Sequence, residues 1–204
     1  MSDRGDVYHY SKHHPHLYWF AGSSWTAHFY YDKWLHTRDE DFLKREAIPF
    51  MLGAYTFLRE VLHQDDQGAY HFIPSYSAEN RPAGGHPCAA NATHDVAAMK
   101  QLLRNLITLA RDGYLPEDRA GEFEKVLEGL PPYAIDEDGD LSEWLWPGLR
   151  NNNSHRHASH LYPLFDGVDD EFAGNPGLRE AAKATIGKRL AFRSNKKGGA
   201  MAFG

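Results

Sequence analysis

The sequence predicts an all-α fold. Three observations lead there. Apolar residues recur at 3–4 spacing through several long segments. Strand-like alternation is weak everywhere. The helical segments alternate with long loops, as in a layer or toroid of helical hairpins.

The first helix is expected over 23–37, "SSWTAHFYYDKWLHT". Ser23 or Ser24 could cap it, with Trp25, Phe29 and Leu35 near one face. A second is expected over about 39–62, with Phe42, Leu43, Ile48, Met51, Tyr55, Leu58 and Leu62 as its apolar stripe. Pro49 should kink or interrupt it, because proline has no N–H and crowds the preceding turn. Residues 63–93 read as one loop of about thirty residues, a length usually tied to function in a compact domain. Val96, Met99, Leu102, Leu103, Leu106 and Ala110 then mark a strong helix, with Thr93 and Asp95 at its start. A shorter amphipathic helix covers 117–130 and stops at Pro131-Pro132. "IDEDGDLSEW" (135–144) reads as a turn or hairpin. A last helix covers 178–192, after "GNPG". The lead-in, 1–21, shows no period.

Composition narrows the function classes. The 204 residues are 42% hydrophobic and 25% charged, ordinary for a globular chain. A net charge of −6, with Lys and Arg scattered except near 193–197, disfavours a nucleic-acid surface. No stretch reaches the roughly 18 apolar residues of a membrane span. The start lacks the apolar core of a signal peptide, which leaves localisation open. Cys88 is the single cysteine, so an internal disulfide and a multi-cysteine metal site are excluded. Neither end looks like a tapered domain edge, so 1–204 is expected to be one domain that is incomplete at both ends. Exposed apolar surface along its helices is expected to follow.

Chemistry-bearing residues concentrate in two places. "NNNSHRHASHLYPL" (151–164) packs His155, Arg156, His157 and His160 together. Three uses are open. A zinc site would want histidines on one helical face. Yet there is no H-E-x-x-H pattern, and Arg156 between the first two histidines opposes a cation. A structural polar loop would use the histidines on carbonyls. A sugar site would mix Arg, His and Asn donors with aromatic platforms, and the chain has five Trp and eleven Tyr. The second place is "PSYSAEN" (74–80), where Glu79 follows Tyr70, Phe72 and Tyr76. A carboxyl that loses solvation beside aromatics rises in pKa and can donate a proton to a glycosidic oxygen. The alternative is a solvated loop carboxylate. Glu143 in "SEW" and Asp95 in "THD" read as structural.

These strings, in this order, resemble the catalytic domain of glycoside hydrolase family 95, the inverting α-L-fucosidases and α-L-galactosidases. "AGSSWTAHFYYDKWLHTRDEDFL" resembles the family's Gly-Gly-Ala-Trp segment. "PSYSAEN" resembles Pro-Ser-x-Ser-Pro-Glu-Asn, with Ala78 for the usual proline. "SEW" followed by "HRHASHLYPLF" resembles Glu-Trp and His-Arg-His-x-Ser-His-Leu. "LREAAKATIGKRL" is similar to the Ala-Ala…Arg helix. The likeness runs from about residue 5 to 199.

The resemblance implies part of an (α/α)6 barrel and an inverting hydrolase that needs neither cofactor nor metal. It makes Glu79 the general acid. It makes Arg156, His157 and Trp25 residues that hold the sugar, joined by their neighbours Asn80 and His160. The partner would be carbohydrate, a fucosylated or α-L-galactosylated glycan. The family's water-activating Asn-x-Asn pair and its Asp fall outside the matched segments. Asn151 and Asn153 share the spacing but follow the acid, so the base role is not assigned to them. A helical domain that binds glycans or a partner chain without hydrolysis is the alternative, and a metal-dependent hydrolase ranks third.

Overall fold

The structure, a computed structural model, describes residues 15–165 and 169–192. The basic cluster at 193–197 and most of the irregular lead-in lie outside them. The described residues are mostly helical, with one small hairpin. No described helix is long and apolar enough to cross a membrane. The chain forms two compact units. One comprises Phe20–His71 and Ala98–Pro131; the other comprises Phe72–Ala97 with the described residues up to Trp19 and from Pro132 onward.

In the first unit, α1 (Ala21–Thr37) packs on α3 (Ile48–Val61). The helix α1 starts before the expected serine cap. Ser23 and Ser24 lie inside it and donate to the carbonyls of Phe20 and Ala21. Its buried face also differs from the expected one: Ala27, His28, Tyr31 and Trp34 go in, while Phe29 stays 53% exposed. That face mixes small residues with Tyr31 and Trp34, so the most apolar side chains are not all the buried ones.

Pro49 interrupts the second helix as expected, in a specific way. A short α2 (Glu40–Phe42), capped by the Asp39 carboxylate, runs into a π turn (Leu43–Ala47) and then α3. The Ile48 N–H reaches back five residues to the Leu43 carbonyl. The wider register falls just before the proline, whose ring cannot supply the next donor. Leu43, Met51 and Leu58 are fully buried.

The expected thirty-residue loop contains a hairpin that the reading of the sequence did not foresee: β1 (Leu62–Gln64) and β2 (Tyr70–Phe72). The Asp65 carboxylate accepts the N–H groups of Gln67 and Ala69 and closes the turn, with Gly68 at φ +88°. Strands of three residues carry no readable alternation. Helix α5 (Asp118–Gly129) buries Phe123 edge-on to Tyr55, ring centroids 4.9 Å apart.

Helix α4 (Thr93–Arg111) starts in the second unit and continues into the first. All six apolar residues that marked it in the sequence are buried. In the second unit, residues 135–144 form the expected turn, with Gly139 at φ +82° and an Ile135–Leu141 bridge. The helices α6 (Asp170–Gly174) and α7 (Pro176–Phe192) follow and pack together. A 3-10 segment, Ser159–Leu164, carries His160.

Exposed apolar side chains do lie along the helices. Phe29, Phe50 and Phe57 are exposed on α1 and α3, and Ile186 and Leu190 on α7.

Candidate functional site

Residues 75–80 leave β2 as irregular chain, so their backbone needs partners other than a ladder. Ser75 supplies the first anchor: it exchanges two backbone hydrogen bonds with Ala89. Its hydroxyl donates to the buried Asp95 carboxylate at 2.6 Å. Asp95 thus orients a neighbouring group from the first turn of α4. The Ser159 hydroxyl donates to the Ala78 carbonyl at 2.8 Å. The peptide bond between Ala78 and Glu79 is cis.

From that loop Glu79 meets the second polar string directly. Arg156 Nη2 donates to Glu79 Oε2 at 2.5 Å, across 77 positions of sequence. His157 Nε2 lies 3.5 Å from the same oxygen. Both charged side chains are 45% exposed, so the pair faces solvent. His157 is buried beside them, and neither of its ring nitrogens makes a hydrogen bond among the described residues. His155 stacks on His157 with centroids 5.1 Å apart.

Electrostatics follow from this geometry. The hydrogen bond from Arg156 holds the Glu79 carboxyl below the usual carboxylate range, and its charge adds to the effect against modest desolvation. Desolvation works to raise the carboxyl but does not win here; the expected rise is one that accompanies sugar binding. The guanidinium outweighs the rings because Glu79 remains half in water. Burial lowers His157, and Arg156 lowers it further. Desolvation and then Glu79 raise the nearby Tyr76 hydroxyl to about 12.

Beneath the pair lies a network that the sequence did not reveal. Glu143 and Arg189 are each only 1% exposed. Arg189 Nη2 donates to Glu143 Oε2 at 2.5 Å. Ser77 Oγ and Asn80 Nδ2 each donate to the same carboxylate at 2.8 Å. Burial pushes the Glu143 carboxyl up, and Arg189, Ser77 and Asn80 work against it. All three are donors, so the geometry serves the ionised form. The Asn80 amide is fully spent: it also donates to the Asn152 carbonyl at 3.0 Å and accepts from the Asn152 side chain at 3.2 Å. His160 is completely buried, with Nδ1 3.9 Å from Glu143 Oε2. Asn80 and His160 thus sit in the layer below Glu79.

Asn151 and Asn153 face elsewhere. Both side-chain amides donate to the buried Asp140 carboxylate, at 3.1 and 2.7 Å. Burial works to raise Asp140, but Lys188, Asn153 and Asn151 outweigh it and hold it low. Trp25 is carried by α1 of the other compact unit. Among the described residues, no three His, Cys, Asp or Glu side chains form a group suited to a metal ion.

The strings "SEW" and "HRH" were visible in the sequence. The use of Glu143 as an acceptor for the acid loop was not, and Arg189 was marked only as the arginine of the Ala-Ala…Arg string, with nothing to show that it is buried.

Comparison with known proteins adds the following. Residues 4–203 match the Glycosyl hydrolase family 95 catalytic domain. Alpha-L-fucosidase 2 of Arabidopsis thaliana is 28% identical over 176 residues, which is 84% of this chain and 21% of that protein. Probable alpha-fucosidase A of Aspergillus niger is 23% identical over 180 residues, 83% of this chain and 22% of that protein. The chain spans about a fifth of the length of these relatives.

Proposed function

The chain belongs to glycosyl hydrolase family 95, and on that premise we propose that it carries the acid side of an inverting α-L-fucosidase site within part of an (α/α)6 toroid. One observation carries the reading: Glu79 and Arg156 meet at 2.5 Å beside a buried His157 whose ring nitrogens make no hydrogen bonds among the described residues. A buried polar atom without a partner costs on the order of 1–3 kcal/mol. A sugar hydroxyl offers both a donor and an acceptor there.

In this reading Arg156 and His157 hold ring hydroxyls, and Glu79 protonates the glycosidic oxygen. Asn80 and His160 support the site from beneath. The role of Trp25 rests on the resemblance alone. The ion pair makes Glu79 ionised when no sugar is bound, whereas a general acid must carry a proton. Sugar binding changes both influences: hydroxyls compete for Arg156, and the ligand excludes water from Glu79. Each raises the carboxyl towards the protonated form. Inversion also needs a base across the sugar, with room for water between. Asn151 and Asn153 are committed to Asp140, so no base is assigned within the chain.

A second reading, glycan binding without hydrolysis, is favoured by the commitment of Asn151 and Asn153 to Asp140, which leaves the base side unassigned. Parallel binding and turnover assays with a nitrophenyl α-L-fucoside and with L-fucose separate the two. We expect the chain to bind L-fucose, to lose that binding in Arg156→Ala, and to turn over little by itself. In a full-length protein carrying this segment, Glu79→Gln should lower hydrolysis about 10²–10⁴-fold, the usual range for a general acid. Full hydrolysis by that variant would return the chain to the binding reading. No fucose binding by the folded chain would remove both.

A further inference from the structure

We propose that Glu143 and Arg189 are a positioning pair that sets the geometry of Glu79 and Arg156 from below. This rests on the reading of Glu79 as the acid. Glu79 and Arg156 sit on two irregular segments, outside any helix or named strand. Glu143 grips the first segment on both sides of Glu79: it accepts from Ser77, two residues before, and from Asn80, one residue after. Arg189 grips the second segment on the near side of Arg156: Nη1 donates to the carbonyls of Asn152 at 2.7 Å and His155 at 3.4 Å. The two grips are joined by the Arg189–Glu143 contact at 2.5 Å. The Asn80–Asn152 amide pair adds a direct cross-link.

Each end of this strut is itself anchored. The Glu143 backbone N–H donates to Asn151 Oδ1 at 2.7 Å, and its carbonyl accepts from Thr93 N–H at 3.0 Å, at the start of α4. Arg189 projects from the 17-residue helix α7. The planar fork of arginine lets one side chain bond a carboxylate and two carbonyls at once, which lysine cannot reproduce. Helices therefore help fix the relative position of two loops whose charged side chains meet in a half-exposed ion pair, alongside the Asn80–Asn152 and Ser159–Ala78 hydrogen bonds. Neither Glu143 nor Arg189 is accessible enough to touch a sugar.

The experiment reads Glu79 itself and needs no turnover. With glutamate labelled at the side-chain carboxyl carbon, NMR follows the titration of Glu79, assigned by the signal lost in Glu79→Gln. Arg156→Gln sets the full displacement expected when the guanidinium is removed. In folded Glu143→Gln, the Glu79 midpoint should move in the same direction, by at least about half of that displacement, because the partners drift apart. Val126→Ala, a core truncation in the other unit, should lower stability and leave the Glu79 titration in place. This separates positioning from a general loss of stability.

An unmoved Glu79 midpoint in folded Glu143→Gln overturns the proposal. If that variant does not fold, Ser77→Ala cuts one arm of the same link and keeps the Glu143–Arg189 pair. A smaller shift in the same direction supports the pair, and none overturns it. The acid reading fails separately: Glu79→Gln without effect on hydrolysis in the full-length protein would discard the acid and leave the strut intact.

Discussion

Acid should destabilise this chain before its carboxylates titrate, and His94 shows why. Its imidazole is completely buried at the start of α4. Trp19 Nε1 donates to His94 Nδ1 at 3.4 Å. An indole N–H can only donate, so Nδ1 must keep its lone pair, and a proton there would face another proton. Burial pushes His94 down to about 3, against about 6.5 in an unfolded chain. Between those values the unfolded state binds the proton and the folded state does not, so stability rises with pH. The contribution is fully present above about pH 6.5 and is lost as pH falls, at about 1.4 kcal/mol per unit. From pH 6.5 to 4.5 that is roughly 2–3 kcal/mol from His94 alone, a large share of the roughly 5–15 kcal/mol of a typical domain. His160, equally buried, acts in the same direction. The assay is urea unfolding at several pH values in that window, for the wild type and for His94→Gln, whose amide oxygen can still accept from Trp19. The wild-type slope should exceed that of the variant by about one proton per molecule. Equal slopes, or a His94 signal titrating near 6.5, would refute the argument.

Two further outcomes test the packing. A Cβ at Gly129 would meet the Tyr70 ring at 2.6 Å, so Gly129→Ala should cost about 1–3 kcal/mol by overpacking. Gly53 in α3 has open space instead, and Gly53→Ala should stabilise by about 0.5–1 kcal/mol; denaturant midpoints of the two variants should move in opposite directions. Arg189→Met leaves Glu143 charged and uncompensated in the interior, a loss of about 3–5 kcal/mol by urea unfolding. Adding Glu143→Gln should restore part of it, because the two costs are coupled; strictly additive losses would show that the pair is not energetically linked.

The helices α4 and α5 were legible in the sequence because each presents one apolar face for several turns, and α7 was legible as a helix although its buried face includes Thr185 and Arg189 and leaves Ile186 and Leu190 exposed. Pro49 was legible as an interruption because its missing N–H is a local fact. The strings holding Glu79 and Arg156 stood out through dense polar chemistry beside aromatics. The hairpin at 62–72 was not legible, since strands of three residues have no period to show. The buried face of α1 was misread because the stripe that goes in, Ala27, His28, Tyr31 and Trp34, is not the most apolar one, so hydropathy pointed to Phe29 instead. Arg189 was the most hidden of all. In the sequence it is one cation in an amphipathic helix, where solvent is its ordinary surroundings. Only tertiary packing places it against the Glu143 carboxylate and the carbonyls of Asn152 and His155. A buried charge is set by what surrounds it in space, and those surroundings come from segments 34–46 positions away.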